Sequence, residues 1–60
     1  MELDRFLRVS EVIEATTLSR AEIYRRMQKG EFPRQHRISH KRAVWRQSEI
    51  IAWQERVTHA

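Results

Sequence analysis

Residues 18–33 hold a start signal and a stop signal for one short helix, and no other feature constrains the fold as much. Ser19-Arg20-Ala21-Glu22 matches the capping box, in which the serine oxygen accepts from the Glu22 amide and the glutamate reaches back to the Ser19 amide. Leu18 precedes this cap and is placed to pack on Ile23 as a hydrophobic staple. Gly30, the sole glycine, follows Lys29 and suits a left-handed C-cap. Phe32 is placed to fold back on the last turn, and Pro33 forbids continuation. The spacing predicts a helix over residues 19–29.

The flanking segments are read from the same kinds of signal. Residues 1–4 read as a loose terminus, and Phe6-Leu7-Arg8-Val9 as a short strand. Ser10 reads as an N-cap with Glu11 in the first turn, where a carboxylate suits the helix dipole. Val12, Ile13 and Ala15 then give a short helix that ends near Thr16-Thr17, a β-branched pair suited to a turn. Arg37-Ile38-Ser39 and Ala43-Val44-Trp45-Arg46 flank His40-Lys41-Arg42 and read as a hairpin with a basic tip, without the Asn-Gly or Asp-Gly turn signal. A last helix begins near Gln47 or Ser48, with Ile50, Trp53 and Val57 at i, i+3 and i+7. The expected core is Leu7, Val9, Val12, Ile13, Leu18, Ile23, Met27, Phe32, Ile38, Trp45, Ile50, Trp53 and Val57.

Sixty residues make one domain with a small core, and the absence of cysteine leaves packing alone to hold it. No apolar run approaches the roughly 20 residues of a membrane span, and none reads as a signal-peptide h-region. The chain reads as soluble and cytoplasmic.

Charge is unevenly placed. Residues 20–46 hold nine basic side chains and two acids, a balance of +7, whereas the rest of the chain carries −3, for the net +4. A basic middle between acidic ends predicts one electropositive surface, for which nucleic acid is the expected partner. Arginine outnumbers lysine ten to two, and guanidinium forks suit phosphate and guanine.

On a helical wheel the 19–29 segment places Ile23 and Met27 on one side, with Tyr24 and the Arg20 stem flanking them. Ala21, Glu22, Arg25 and Lys29 fall opposite, with Arg26 at the edge. Two short helices joined by a short turn, the second capped and basic outside, match a helix-turn-helix. The N-terminal part of the second helix then meets base edges in the major groove of double-stranded DNA. Arg20, Glu22 and Arg25 are candidate base readers, with Ser19 capping the helix that carries them. Tyr24 and Arg26 are placed for phosphates. Arg37 and the hairpin tip, Lys41 and Arg42, complete the candidate DNA-binding set.

Each residue also has a structural role open to it. Tyr24 suits a partly buried core position with a wet hydroxyl. Glu22 suits the cap, and Arg26 can pair with Glu22 across one turn. Lys41 and Arg42 suit a solvated turn. Trp45 and Trp53 read as core anchors rather than base-stacking platforms. Catalysis, cofactor and metal chemistry are not expected. His36, His40 and His59 lack cysteine partners and helical ligand spacing, one glycine cannot build a phosphate loop, and so small a domain has little room for a substrate pocket.

The run Leu18 to Met27, then Lys29-Gly30-Glu31-Phe32-Pro33-Arg34, then Arg42 to Ile50 with Trp53, resembles the AlpA-like phage regulatory proteins. These are related to MerR-type DNA-binding domains and small excisionases. The resemblance covers roughly residues 6–56. It implies a mainly α fold with a small β-hairpin wing, a MerR-like winged helix-turn-helix. The helix-turn-helix spans about 10–29, the wing about 36–46 and the C-terminal helix about 47–57. The sequence departs from the familiar pattern in the wing. Val44 meets Trp45 directly, where a glycine is usual, and Ser39-His40-Lys41 replaces a Gly-Pro-like turn.

What the resemblance implies is transcriptional regulation of prophage or integrated-element genes. The alternative is an excisionase, or recombination directionality factor, that binds repeats near an attachment site, self-associates there and bends the DNA so that an integrase excises. A reading from another class is a protein-interaction antirepressor, for which no salt-dependent DNA affinity is expected.

Overall fold

The computed structural model describes residues 3–59. Their order is β1 (Phe6–Leu7), α1 (Val9–Thr16), α2 (Arg20–Gln28), β2 (His36–Ser39), β3 (Arg42–Arg46) and α3 (Gln47–Thr58). The strands form an antiparallel sheet in the order β1-β3-β2, with Leu7 opposite Trp45 and His36 opposite Val44. Three helices around a small sheet with a protruding hairpin make a winged helix-turn-helix.

Local chemistry sets the helix ends. α1 begins at Val9 with Arg8 as its N-cap, so Ser10 lies inside the helix and does not cap it. Arginine has no acceptor to offer the exposed amides. Glu11 instead reaches back to the Arg8 amide at 2.9 Å, half of a capping box. α3 repeats the device: Glu49 accepts from the Arg46 amide at 3.0 Å. Two further free amides of its first turn are met from the N-terminal segment. Gln47 donates to the Arg5 carbonyl at 2.8 Å, and Asp4 accepts from the Ser48 amide and hydroxyl at 3.2 and 2.6 Å. The Ser48 hydroxyl bond leads in holding the Asp4 carboxyl below the usual carboxylate range; it outweighs the opposing desolvation, with lesser help from the Ser48 amide and the Arg46 charge. Asp4 is therefore tied down by a contact 44 residues along the chain, contrary to a loose terminus. Met1 and Glu2 lie outside the described residues.

The turn between α1 and α2 is Thr17-Leu18-Ser19. Thr17 adopts φ 65°, ψ 6° and its amide donates to the Ile13 carbonyl at 2.8 Å. A β-branched residue in the left-handed region is strained by about 1–2 kcal/mol. Thr17→Gly removes that strain and adds backbone entropy to the unfolded chain, for a net stabilisation of about 0.5–1 kcal/mol. Urea denaturation should show the midpoint rising with an unchanged slope; a lower midpoint would show that the threonine side chain contributes more than its backbone costs.

α2 ends as the sequence predicts. Gly30 has φ 73°, its amide reaches the Met27 carbonyl at 3.1 Å, and the Glu31 amide reaches the Arg26 carbonyl at 2.8 Å. This pair of bonds is a Schellman motif. The chain then turns inward. Phe32 packs edge-on against Trp53 (centroids 4.9 Å apart) and Trp45 (6.3 Å). The two indoles hold the same segment by its backbone: Trp45 Nε1 donates to the Pro33 carbonyl at 2.8 Å and Trp53 Nε1 to the Glu31 carbonyl at 3.2 Å. Both tryptophans are core anchors.

The core consists of Leu7, Val12, Ile23, Phe32, Trp45, Ile50 and Trp53, with Val9, Ile13, Leu18 and Met27 packed against it. Three residues depart from expectation. Ile38 is 48% exposed, because β2 is the edge strand and an irregularity between Arg37 and Ser39 breaks its alternation. Val57 is 50% exposed. α1 ends at Thr16, Gln54 already covers its last turn by donating to the Ala15 carbonyl, and Val57 projects one turn beyond. Val44 is buried although absent from the expected core. It sits in the central strand on the face of its cross-strand partner His36, whose Nε2 lies 2.9 Å from Glu49.

Candidate nucleic-acid interface

α2 rises about 13 Å over its nine residues, comparable to the roughly 12 Å width of a B-DNA major groove. Its inner side is fixed by fully buried Ile23 and half-buried Met27. Its N-terminus is fixed by Ser19, whose oxygen accepts from the Glu22 amide at 3.1 Å. The reciprocal half of the expected box is not made. The Glu22 carboxylate points down the helix to Arg26, 3.4 Å away, because a cation one turn on competes for it.

The outward side therefore sits slightly differently from the wheel. Arg20, Ala21, Tyr24, Arg25, Gln28 and Lys29 are exposed, whereas Glu22 and Arg26 are half-buried at the edge. Arg20 and Arg25 make no ion pair or side-chain hydrogen bond among the described residues, so their guanidinium groups are available. Arg26 is engaged with Glu22. Tyr24 is 36% exposed and its hydroxyl makes a long contact, 3.5 Å, to Gln35 Oε1. That contact joins α2 to the segment entering the hairpin.

In the hairpin, Ser39 pairs with Arg42 around a two-residue turn, His40-Lys41. Arg42 thus begins β3 and does not belong to the tip itself. Neither turn residue has a positive φ, so the hairpin closes without the glycine-dependent turn types. Arg37 donates to the His40 carbonyl at 3.1 Å and ties the turn back to β2. Lys41 and Arg42 are exposed. Gln28 and Arg34 are exposed near the same helix and were not among the sequence candidates. Gln28 falls near Ala21 on the wheel, a signal that charge counting passes over. Arg34 sits in a loop, where periodicity gives no direction.

Among the described residues no helix is long and apolar enough to cross a membrane. The fold and its exposed arginine helix define a protein of the winged helix-turn-helix class. The sequence pattern described as "Prophage CP4-57 regulatory protein (AlpA)" matches residues 5–58, and the chain belongs to this AlpA family of phage regulatory proteins. "Uncharacterized protein ORF88" of Enterobacteria phage P4 is 48% identical over 50 residues, which cover 83% of this chain. The chain spans 57% of that phage protein's length. No solved structure matches the chain.

Proposed function

We propose that this chain is a non-enzymatic, sequence-specific double-stranded DNA-binding regulator of prophage or integrated-element genes that acts in the host cytoplasm. The observation that carries the reading is the two-sidedness of α2. One side is locked into the core by Ile23 and Met27, and the other offers unpaired Arg20 and Arg25 on a capped, rigid frame. A rigid helix positions guanidinium forks for bidentate bonds to guanine O6 and N7. Ala21 between them leaves room for close approach or for a thymine methyl. Ser19 supports this frame from the N-cap. Glu22 and Arg26 brace each other at the helix edge. Tyr24 offers a hydroxyl to the backbone, and Arg37 orders the turn that presents Lys41 and Arg42 as the wing contact. The family assignment supports a regulatory role.

The test is selection of duplexes from a random pool, followed by affinity measurement and footprinting. A selected sequence bound far more tightly than random duplex supports the reading; equal affinity for all sequences overturns it. A footprint confined to a promoter assigns the protein to transcription, whereas repeated footprints beside an attachment site, with excision by purified integrase dependent on the protein, assign it to recombination.

Lys41→Ala supplies a separate check on the wing. It should weaken binding to every duplex and reduce the slope of log affinity against log salt by about 0.9. An unchanged slope removes the tip from the interface.

A further inference from the structure

Tyr24, Met27, Gln28, Arg34 and Gln35 line an open notch of about 390 Å³ between the C-terminal half of α2 and the segment entering β2. Its polar lining is one guanidinium, one phenol and two carboxamides, with no carboxylate. The neighbouring notch on α2 mixes Arg25, Arg26 and Lys29 with two carboxylates, Glu22 and Glu31, and Arg26 is already paired with Glu22. The first notch holds an unanswered positive charge, and each of its polar side chains can donate a hydrogen bond. The Tyr24 hydroxyl faces Gln35 Oε1, which leaves Gln35 Nε2 to donate elsewhere. A helix C-terminus ordinarily disfavours an anion. Here the Gly30 and Glu31 amides occupy the Met27 and Arg26 carbonyls, which weakens that objection.

We infer that this notch seats one backbone phosphodiester of the bound duplex, with Arg34 supplying the charge and Gln28 and Gln35 supplying hydrogen bonds. The inference rests on the duplex-binding reading above and adds a site to it. The notch lies at the junction of α2 and the hairpin. A phosphate held there sets the angle at which α2 enters the groove, the positioning role that backbone contacts play.

The experiment uses the duplex selected by the wild-type protein and a random duplex of equal length, titrated between about 50 and 200 mM salt. Arg34→Ala should weaken binding to both duplexes by a similar factor, about tenfold, as expected for loss of a charged hydrogen-bonding partner. The salt slope should fall by about 0.9. Gln35→Glu, which places a carboxylate in the notch, should weaken both duplexes at least as much. A scan of single neutral methylphosphonates then locates the phosphate. One position should cost the wild type affinity and cost Arg34→Ala nothing further. Circular dichroism and thermal melting establish that both variants are folded, and Arg34→Gln serves as a milder replacement. If the slope is unchanged, or every methylphosphonate penalty is the same in Arg34→Ala as in wild type, the notch is not a phosphate site although duplex binding stands. If the wild type shows no salt-dependent affinity for any duplex, the duplex reading fails and takes the notch with it.

Discussion

Trp45→Ala should leave the chain largely unfolded at room temperature. Trp45 is 0% exposed, the largest fully buried side chain of the core, and lies across from Leu7 in the sheet and edge-on to Phe32. Truncating a buried tryptophan costs about 3–5 kcal/mol. A chain of 60 residues has a total stability of roughly 3–9 kcal/mol. The loss is therefore most of what holds the fold, and no disulfide limits the damage. A second consequence follows from the indole nitrogen, which holds the Pro33 carbonyl at 2.8 Å and so fixes the exit of the chain from α2. Trp45→Phe separates the two roles. It keeps most of the apolar burial but leaves that carbonyl without its donor, at a cost of about 1–3 kcal/mol. Circular dichroism against urea reads both variants. A Trp45→Ala protein with a wild-type midpoint would show that the core can close over the missing ring, contrary to the close packing of protein interiors.

Arg25→Ala should lower affinity for the selected duplex by about 1–3 kcal/mol, the range for one bidentate base contact, or roughly 5- to 150-fold. Random duplex should be affected much less. Arg25 is exposed near the middle of the outward side of α2, and no acid among the described residues engages it. Arg25→Lys is the sharper variant. It keeps the charge and loses the planar fork, so it should retain non-specific affinity while discrimination falls. Equal losses on both duplexes would move Arg25 from base reading to phosphate binding. No loss on either would remove the central residue of the proposed interface. Because Arg25 makes no contact with the core, the melting temperature serves as a control and should stay within a few degrees of wild type.

Much of the frame that presents Arg25 was legible in the chain. Ser19, Gly30 and Pro33 act through their own backbone conformation and through atoms three or four residues away, so their effects do not wait for tertiary structure. The same holds for the apolar positions Ile23 and Met27, whose spacing decides which side of α2 faces in. The direction of the Glu22 carboxylate was open, because capping and pairing with Arg26 are both short-range options for one side chain.

Other features depend on residues distant in sequence. Burial of Val44 beside Trp45 required β3 to become the central strand, which pairing with β1 decides. Exposure of Ile38 and Val57 required edges that periodicity does not contain: the outer side of the sheet, and the point at which α1 stops. The Asp4 bonds to Ser48 and the notch of Tyr24, Gln28, Arg34 and Gln35 likewise join segments that meet only when the chain is folded. By itself the sequence determined where α2 starts and stops and which sides of the helices are apolar, since these follow from local sterics and hydrogen-bond satisfaction; it misplaced the start of α1, where Arg8 rather than Ser10 is the N-cap. Tertiary structure alone decided which strand is central, which apolar residues are covered and which donors converge, since each depends on distant segments excluding water from the same volume.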